Sequence, residues 1–171
     1  DCSEGILRGD CQHIEYGNNF DIMGNRVPFR ALHFNSFYKE LLGWIPLSET
    51  IQISSSGQYT LNPLELPNSA GKLSKKHAKI QSPYSTSTTL YLEYRRGVGF
   101  DRRLNDPTLV SNQQGLFVNK IIYPPGDSLN PAFPRLLDMR PTEADWYDDI
   151  SMSTFNSTTS AFADIGTGIS L

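Results

Sequence analysis

"TTLYLEYRRG", residues 88 to 97, decides the fold class. Leu90, Leu92 and Tyr94 alternate with Tyr91, Glu93 and Arg95, a two-residue period that puts one set on each face of an extended strand. Gly97 closes the run. Similar short stretches lie on either side: "TIQISSSGQYTLNPLEL" (50 to 66), alternating about a Ser and Gly turn, "KHAKIQS" (76 to 82), "GLFVNKIIY" (115 to 123), "RLLDMRP" (135 to 141) and the tail "AFADIGTGISL" (161 to 171). Turn residues separate them, and their spacing predicts a mainly β chain, an antiparallel sandwich of six or seven strands. "LVSNQQG" (109 to 115) and the proline-stiffened "YPPGDSLNPAFP" (123 to 134) read as exposed connections, and "RRGVGFDRR" (95 to 103) as a hairpin turn. That last segment lacks the third glycine and the βαβ setting of a dinucleotide loop.

Before the β region the texture differs. In "HFNSFYKELLGW" (33 to 44), Asn35 is placed to cap a helix, Phe37, Leu41 and Trp44 recur at helical spacing, and Gly43 is placed to end it. The expected helix covers residues 36 to 42, and Pro46 prevents its continuation. The chain therefore divides into a loop-and-helix segment, 1 to 46, and a β-rich segment, 47 to 171. No 20 to 50 residue repeat is visible, and compositional bias is confined to the Ser and Thr of residues 151 to 160.

With 171 residues, 38% of them hydrophobic and 19% charged, the chain has the composition of a protein with a packed core. A net charge of -3 gives no reason to expect a nucleic-acid partner, whose phosphates are met by clustered Lys and Arg. The one basic run, Lys72 to Lys79, reads as a solvated loop. No apolar stretch reaches the roughly 20 residues of a membrane span. Asp1 is followed at once by Cys2, with no initiator Met, so the chain is expected to be a fragment or a processed product.

Cys2 and Cys11 enclose a loop containing Gly5 and Gly9 that suits a disulfide; a metal pair is the competing reading and needs two further ligands. "NST" at Asn156 to Thr158 is a candidate glycan acceptor and, with the bridge, points to an extracellular, secreted protein. Asp145, Asp148 and Asp149 in "RPTEADWYDDIS" read either as an exposed acidic loop or as a calcium site. His13, His33 and His77 share no i, i+4 spacing, so the expectation is a loop histidine, a packed one beside Phe34 and a solvated one rather than zinc ligands. No G-x-S-x-G elbow is present either.

The remaining signal is "EYGNNFDIMGN" (15 to 25) followed by "ALHFNSFYKELLGWI" (31 to 45). Together they resemble the segment after the zinc helix in secreted metallopeptidases of the gametolysin type, which are metzincins, with a similarity to the immune-inhibitor-A group. The match lies at Tyr16, Gly17, Asp21, Met23, Gly24, Leu42, Gly43 and Trp44, with Asn18 standing where Asp is usual. Cys2 and Cys11 are similar in position to a cysteine pair of that family, and "YLEYR" and "LLDM" resemble strands of its β-rich C-terminal region.

The resemblance implies that residues 1 to 46 are a remnant of a metzincin C-terminal subdomain. Met23 would be the Met-turn residue, an apolar floor under a zinc ion, with Gly24 taking the turn's unusual dihedrals. The family's H-E-x-x-H-x-x-G-x-x-H helix, with three zinc ligands and a general base, does not occur in residues 1 to 171. Zinc would belong to the complete enzyme, its ligands upstream on the same polypeptide and none in this chain. A protein would be the substrate, and this chain alone would be inactive, with no catalytic residue of its own. The competing expectation is a non-catalytic structural or adhesive β-sandwich module using aromatics such as Tyr84, Tyr123, Trp146 and Tyr147.

Overall fold

The computed structural model describes residues 18, 20 to 24, 32 to 68, 73 to 105, 114 to 123 and 133 to 137, and the backbone of 163 to 164 and 169 to 170. Cys2, Cys11, His13, the acidic loop with Asp145, Trp146, Tyr147, Asp148 and Asp149, and Asn156, to which the sequence assigns roles, lie outside the described residues. The helix forms as expected: α1 spans Ser36–Leu41. The Asn35 side chain accepts a hydrogen bond from the Tyr38 backbone N–H, satisfying one orphan donor of the first turn. At the other end Gly43 takes φ +73°, and the N–H groups of Gly43 and Trp44 return to the carbonyls of Glu40 and Lys39. This is a Schellman closure, which a side chain with a Cβ resists.

The apolar stripe of that helix is not its buried face. Phe37 is buried, with Ser36 and the stem of Lys39, whereas Leu41 and Trp44 are exposed. The buried side is instead mixed, with Phe37 on Tyr91 and Ile121, the Ser36 N–H on Glu93, and Lys39 paired with Glu65 of the β1 to β2 connection.

Five strands follow: β1 Thr50–Ile53, β2 His77–Gln81, β3 Thr88–Arg95, β4 Gly115–Ile122 and β5 Phe133–Leu136. They pair in sequence order as one mixed sheet. β2 to β5 are antiparallel neighbours, but β1 runs parallel to β2, in register Thr50 to His77. The purely antiparallel expectation is corrected there. "SSSG" does not fold residues 50 to 66 into a hairpin; after Ile53 the chain leaves the sheet, and its remaining apolar residues pack as loop. The C-terminal tail, expected to supply one strand, makes a two-stranded antiparallel ribbon, β6 Ala163–Asp164 with β7 Ile169–Ser170.

The faces of the sheet differ in chemistry. Leu90 and Leu92 of β3 join Ala78, Val118 and Leu137 in a buried cluster, with Ile51, Ile53, Ile80, Leu116 and Leu61 against its margin. Leu61 comes from the β1 to β2 connection, so that crossover helps to cover this face. The opposite face carries Tyr91, Glu93 and Arg95 and receives α1: Phe37 meets Tyr91 edge-on at 5.5 Å and packs on Ile121. Arg95 and Glu93 are each only 1% exposed there.

"RRGVGFDRR" is not a hairpin turn. Gly99–Asn105 forms a 3-10 segment, entered through Gly99 at φ +57°, and it brings Asp101 back over Arg95. The basic run is a solvated loop only in part: residues 73 to 75 are loop with Leu73 and Lys75 exposed, whereas Lys76 is buried and His77 is 0% exposed at the start of β2.

Truncating Leu90 to Ala removes buried methyl groups from the centre of the apolar face, so it is expected to destabilise by about 2 to 5 kcal/mol. Urea unfolding, with the midpoint falling at unchanged slope, checks this; a loss below about 1 kcal/mol would place Leu90 outside the main core.

Candidate functional site: the Met23 turn and the polar layer beneath the helix

Residues 20 to 24 form a tight turn held by Asp21. One carboxylate oxygen of Asp21 accepts the Met23 backbone N–H at 2.9 Å, and the other accepts the Asn35 N–H at 2.7 Å. The turn is therefore fastened to the residue that caps α1. Gly24 donates its N–H to the Asp21 carbonyl at 3.0 Å, and a Cβ at position 24 would overlap the Asn18 carbonyl oxygen. Glycine is needed there for close backbone approach rather than for a left-handed φ. Asn18 uses its side-chain oxygen to accept the Phe20 N–H at 3.0 Å. Phe20 anchors the turn by packing edge-on against Phe117 of β4 at 4.8 Å. The Met23 side chain is 58% exposed.

Arg95 gathers the surrounding segments. It donates Nε to Asp101 Oδ2 at 2.8 Å and NH2 to Asp101 Oδ1 at 2.5 Å, a bidentate fork. It also donates NH1 to the Phe20 carbonyl at 2.6 Å and NH2 to the His33 carbonyl at 3.3 Å. One side chain thus joins β3, the 3-10 segment, the Met23 turn and the approach to α1. Burial alone would lower the guanidinium pKa, but Asp101, Glu93 and Asp21 around it raise it. Glu93 accepts the Ser36 N–H at 2.5 Å; burial pushes its carboxyl up, against the pull of Arg95. Burial also raises Asp21, against its hydrogen bonds from Met23 and Asn35.

A second polar group lies further along the same face. Glu40 of α1 faces His77 Nε2 at 3.0 Å and accepts from Lys79 Nζ at 2.7 Å. His77 stacks on Tyr91 at 5.5 Å, and Thr50 Oγ1 lies 3.3 Å from its Nε2. Burial would raise Glu40, but hydrogen bonds from His77 and Lys79 outweigh it and bring it down to about 2. Burial and the neighbouring Tyr123 push the Tyr91 hydroxyl up.

At the surface, His33 is stacked between Trp44 (5.5 Å) and Phe100 (4.6 Å), and also meets Phe34 edge-on at 5.8 Å. Its Nδ1 faces Glu65 Oε1 at 3.2 Å, an oxygen shared with Lys39 Nζ. The expected contact with Phe34 is present, and two further aromatic rings join it. Trp44 and Phe100 remain exposed.

Among the described residues no group of three or more His, Cys, Asp or Glu side chains is arranged to hold a metal ion, so these residues do not of themselves fit a zinc centre. Among the same residues no helix is long and apolar enough to cross a membrane. No family model, curated protein or solved structure matches the chain. The structure brings Met23 and Gly24 together with Asp21, Asn35 and α1. Asp101 and Glu40 were not singled out by the sequence, Glu93 and Arg95 were given only a strand face, and His77, expected to be solvated, is buried in this layer. The available signal was that Tyr91, Glu93 and Arg95 share one face of a strand bounded on its other face by leucines.

Removing one partner of the buried fork, as in Asp101→Asn or Asp101→Ala, leaves Arg95 uncompensated and is expected to cost about 3 to 5 kcal/mol, read by chemical denaturation. Glu40 behaves differently. Its folded pKa lies below the 4.5 of an ordinary Glu, so its contribution is complete above that value and is lost as pH falls toward 2. After allowance for solvent screening that contribution is about 2 kcal/mol. Glu40→Gln is expected to flatten the stability profile between pH 5 and 2, on the order of the window these pKa values define; a variant keeping the parental slope would deny Glu40 this role.

Proposed function

We propose that this chain is the C-terminal part of a secreted zinc endopeptidase of the gametolysin type. In this reading Met23 and Gly24 form the Met-turn, the zinc ligands lie upstream on the same polypeptide, and residues 47 to 171 make a β-sandwich that supports the turn. The observation that carries the reading is the double use of Asp21, whose carboxylate fixes the backbone of Met23 and that of the α1 cap together. An apolar floor beneath a metal site needs a rigid backbone, and the turn is anchored from both sides. Met23 is presented outward, the orientation of a floor before the ligand-bearing segment covers it. The family-like positions also have physical tasks: Gly24 admits the Asn18 carbonyl, and Gly43 closes the helix that leads to Trp44.

Exposed aromatics favour a second reading, an adhesive module that contacts a partner through Trp44, Phe100, Tyr84 and Tyr123. Expression of the polypeptide together with its upstream sequence separates the two. The peptidase reading expects a zinc helix in that sequence, one zinc per chain by elemental analysis, and protein cleavage abolished by a chelator. Residues 1 to 171 alone are expected to hold no stoichiometric zinc and to cleave nothing. A longer polypeptide with neither the helix nor zinc would refute the peptidase reading and leave the module.

A further inference from the structure

The 3-10 segment Gly99–Asn105 divides its side chains between the interior and solvent. Residues three apart eclipse in such a helix. Asp101 and Leu104 are its buried pair, the first on Arg95 and the second in the cluster with Phe20 and Phe117. Phe100 and Arg103, also three apart, are exposed, and so is Arg102. The segment is fastened from within, and the three outward side chains take no part in that anchoring.

Phe100 is 67% exposed although its ring stacks on His33 at 4.6 Å. The covered face is thus the one toward His33, which is itself stacked on Trp44 and faces Glu65. Gly99, Phe100, Arg102 and Arg103 line one cavity of about 450 Å³ that is open to solvent. Neither Arg102 nor Arg103 has a hydrogen-bond or ion-pair partner among the described residues. The carboxylates of this neighbourhood are already engaged, Asp101 by Arg95 and Glu65, which lies against Gly99, by Lys39. Two uncompensated guanidinium groups therefore share a cavity with a fixed aromatic ring, on a chain whose net charge is -3.

We propose that this cavity docks an acidic peptide segment of a partner protein, with carboxylates taken by Arg102 and Arg103 and a neighbouring apolar side chain laid on Phe100. The planar fork of arginine matches a carboxylate, and an exposed ring held in place before binding lowers the ordering cost of the contact. A small-molecule site would enclose most of its ligand between largely apolar walls, whereas this cavity is open and has two charged heads in its lining. A phosphate polymer would be met by an extended basic track, and here two arginines stand on an acidic chain. The site shares Phe100 with the module reading above but depends on neither zinc nor an upstream segment.

Fluorescence anisotropy of residues 1 to 171 with a short labelled peptide of alternating Glu and Phe tests the site. Binding is expected to weaken with added salt and to fall by about tenfold in the double variant Arg102→Gln, Arg103→Gln, the sum of two exposed ion pairs. Phe100→Ser is expected to cost a similar factor, about tenfold. Both variants are expected to keep the parental urea midpoint, because Asp101 and Leu104 are untouched. Equal binding of a peptide with Gln in place of Glu, affinity unchanged in the arginine variant, or no binding at about 1 mM peptide overturns the proposal. Inorganic polyphosphate that displaces the peptide and binds Phe100→Ser as well as wild type would assign the arginines to a polyanion and overturn it too. Zinc in the longer polypeptide would end the module reading and leave these measurements as they are.

Discussion

The fork between Arg95 and Asp101 is the constraint to which the other segments answer. A guanidinium this deeply enclosed must have its donors met, because an unpaired buried charge costs far more than the pair contributes. Four of its contacts reach three separate stretches of chain: the 3-10 segment after β3, the carbonyl of Phe20 and the carbonyl of His33. None of these stretches belongs to the sheet. Their positions follow from the geometry of one planar side chain projecting from the end of β3.

The two faces of β3 do different work. Leucines on one side remove apolar area from water, at about 25 cal/mol per Å², without specifying direction. Tyr91, Glu93 and Arg95 on the other side specify which segment docks where, because each accepts only partners of complementary chemistry. Glu93 takes the first backbone N–H of α1, Tyr91 takes the Phe37 ring, and Arg95 takes the turn and the loop. Affinity comes largely from one face and register from the other. That division explains why a two-turn helix, too short to be stable alone, is held in one orientation.

Much of this was legible from residue pattern. Alternation in residues 88 to 95 located the central strand, "GLFVNKII" its neighbour, and Asn35 with Gly43 bounded the helix within one residue. Pairing partners were not legible, because alternation reports faces and says nothing about which strand lies beside which; the parallel β1 to β2 ladder is decided by where the crossover finds apolar cover. His77 was misread because its neighbours in sequence are lysines, whereas its neighbours in space are Tyr91 and Glu40. Helical spacing of Phe37, Leu41 and Trp44 likewise named a stripe, but the face that buries is chosen by what lies beneath. At residues 20 to 24 the sequence suggested unusual dihedrals for Gly24, whereas the glycine is needed for the close approach of the Asn18 carbonyl, and the role of Asp21 in tying Met23 to Asn35 was not legible.

β1 lies at the margin of the sheet and pairs in parallel. Its only strand neighbour among the described residues is β2, with Lys75 also donating to the Thr50 carbonyl, while the chain before it is held by Arg95 and Glu93 on the far side of β2. The crossover is held independently of that ladder, by Leu61 against the apolar cluster and by the Leu64 N–H donated to the Tyr94 carbonyl. Residues 32 to 53 are thus held at two kinds of contact, the edge ladder to β2 and the polar layer under α1.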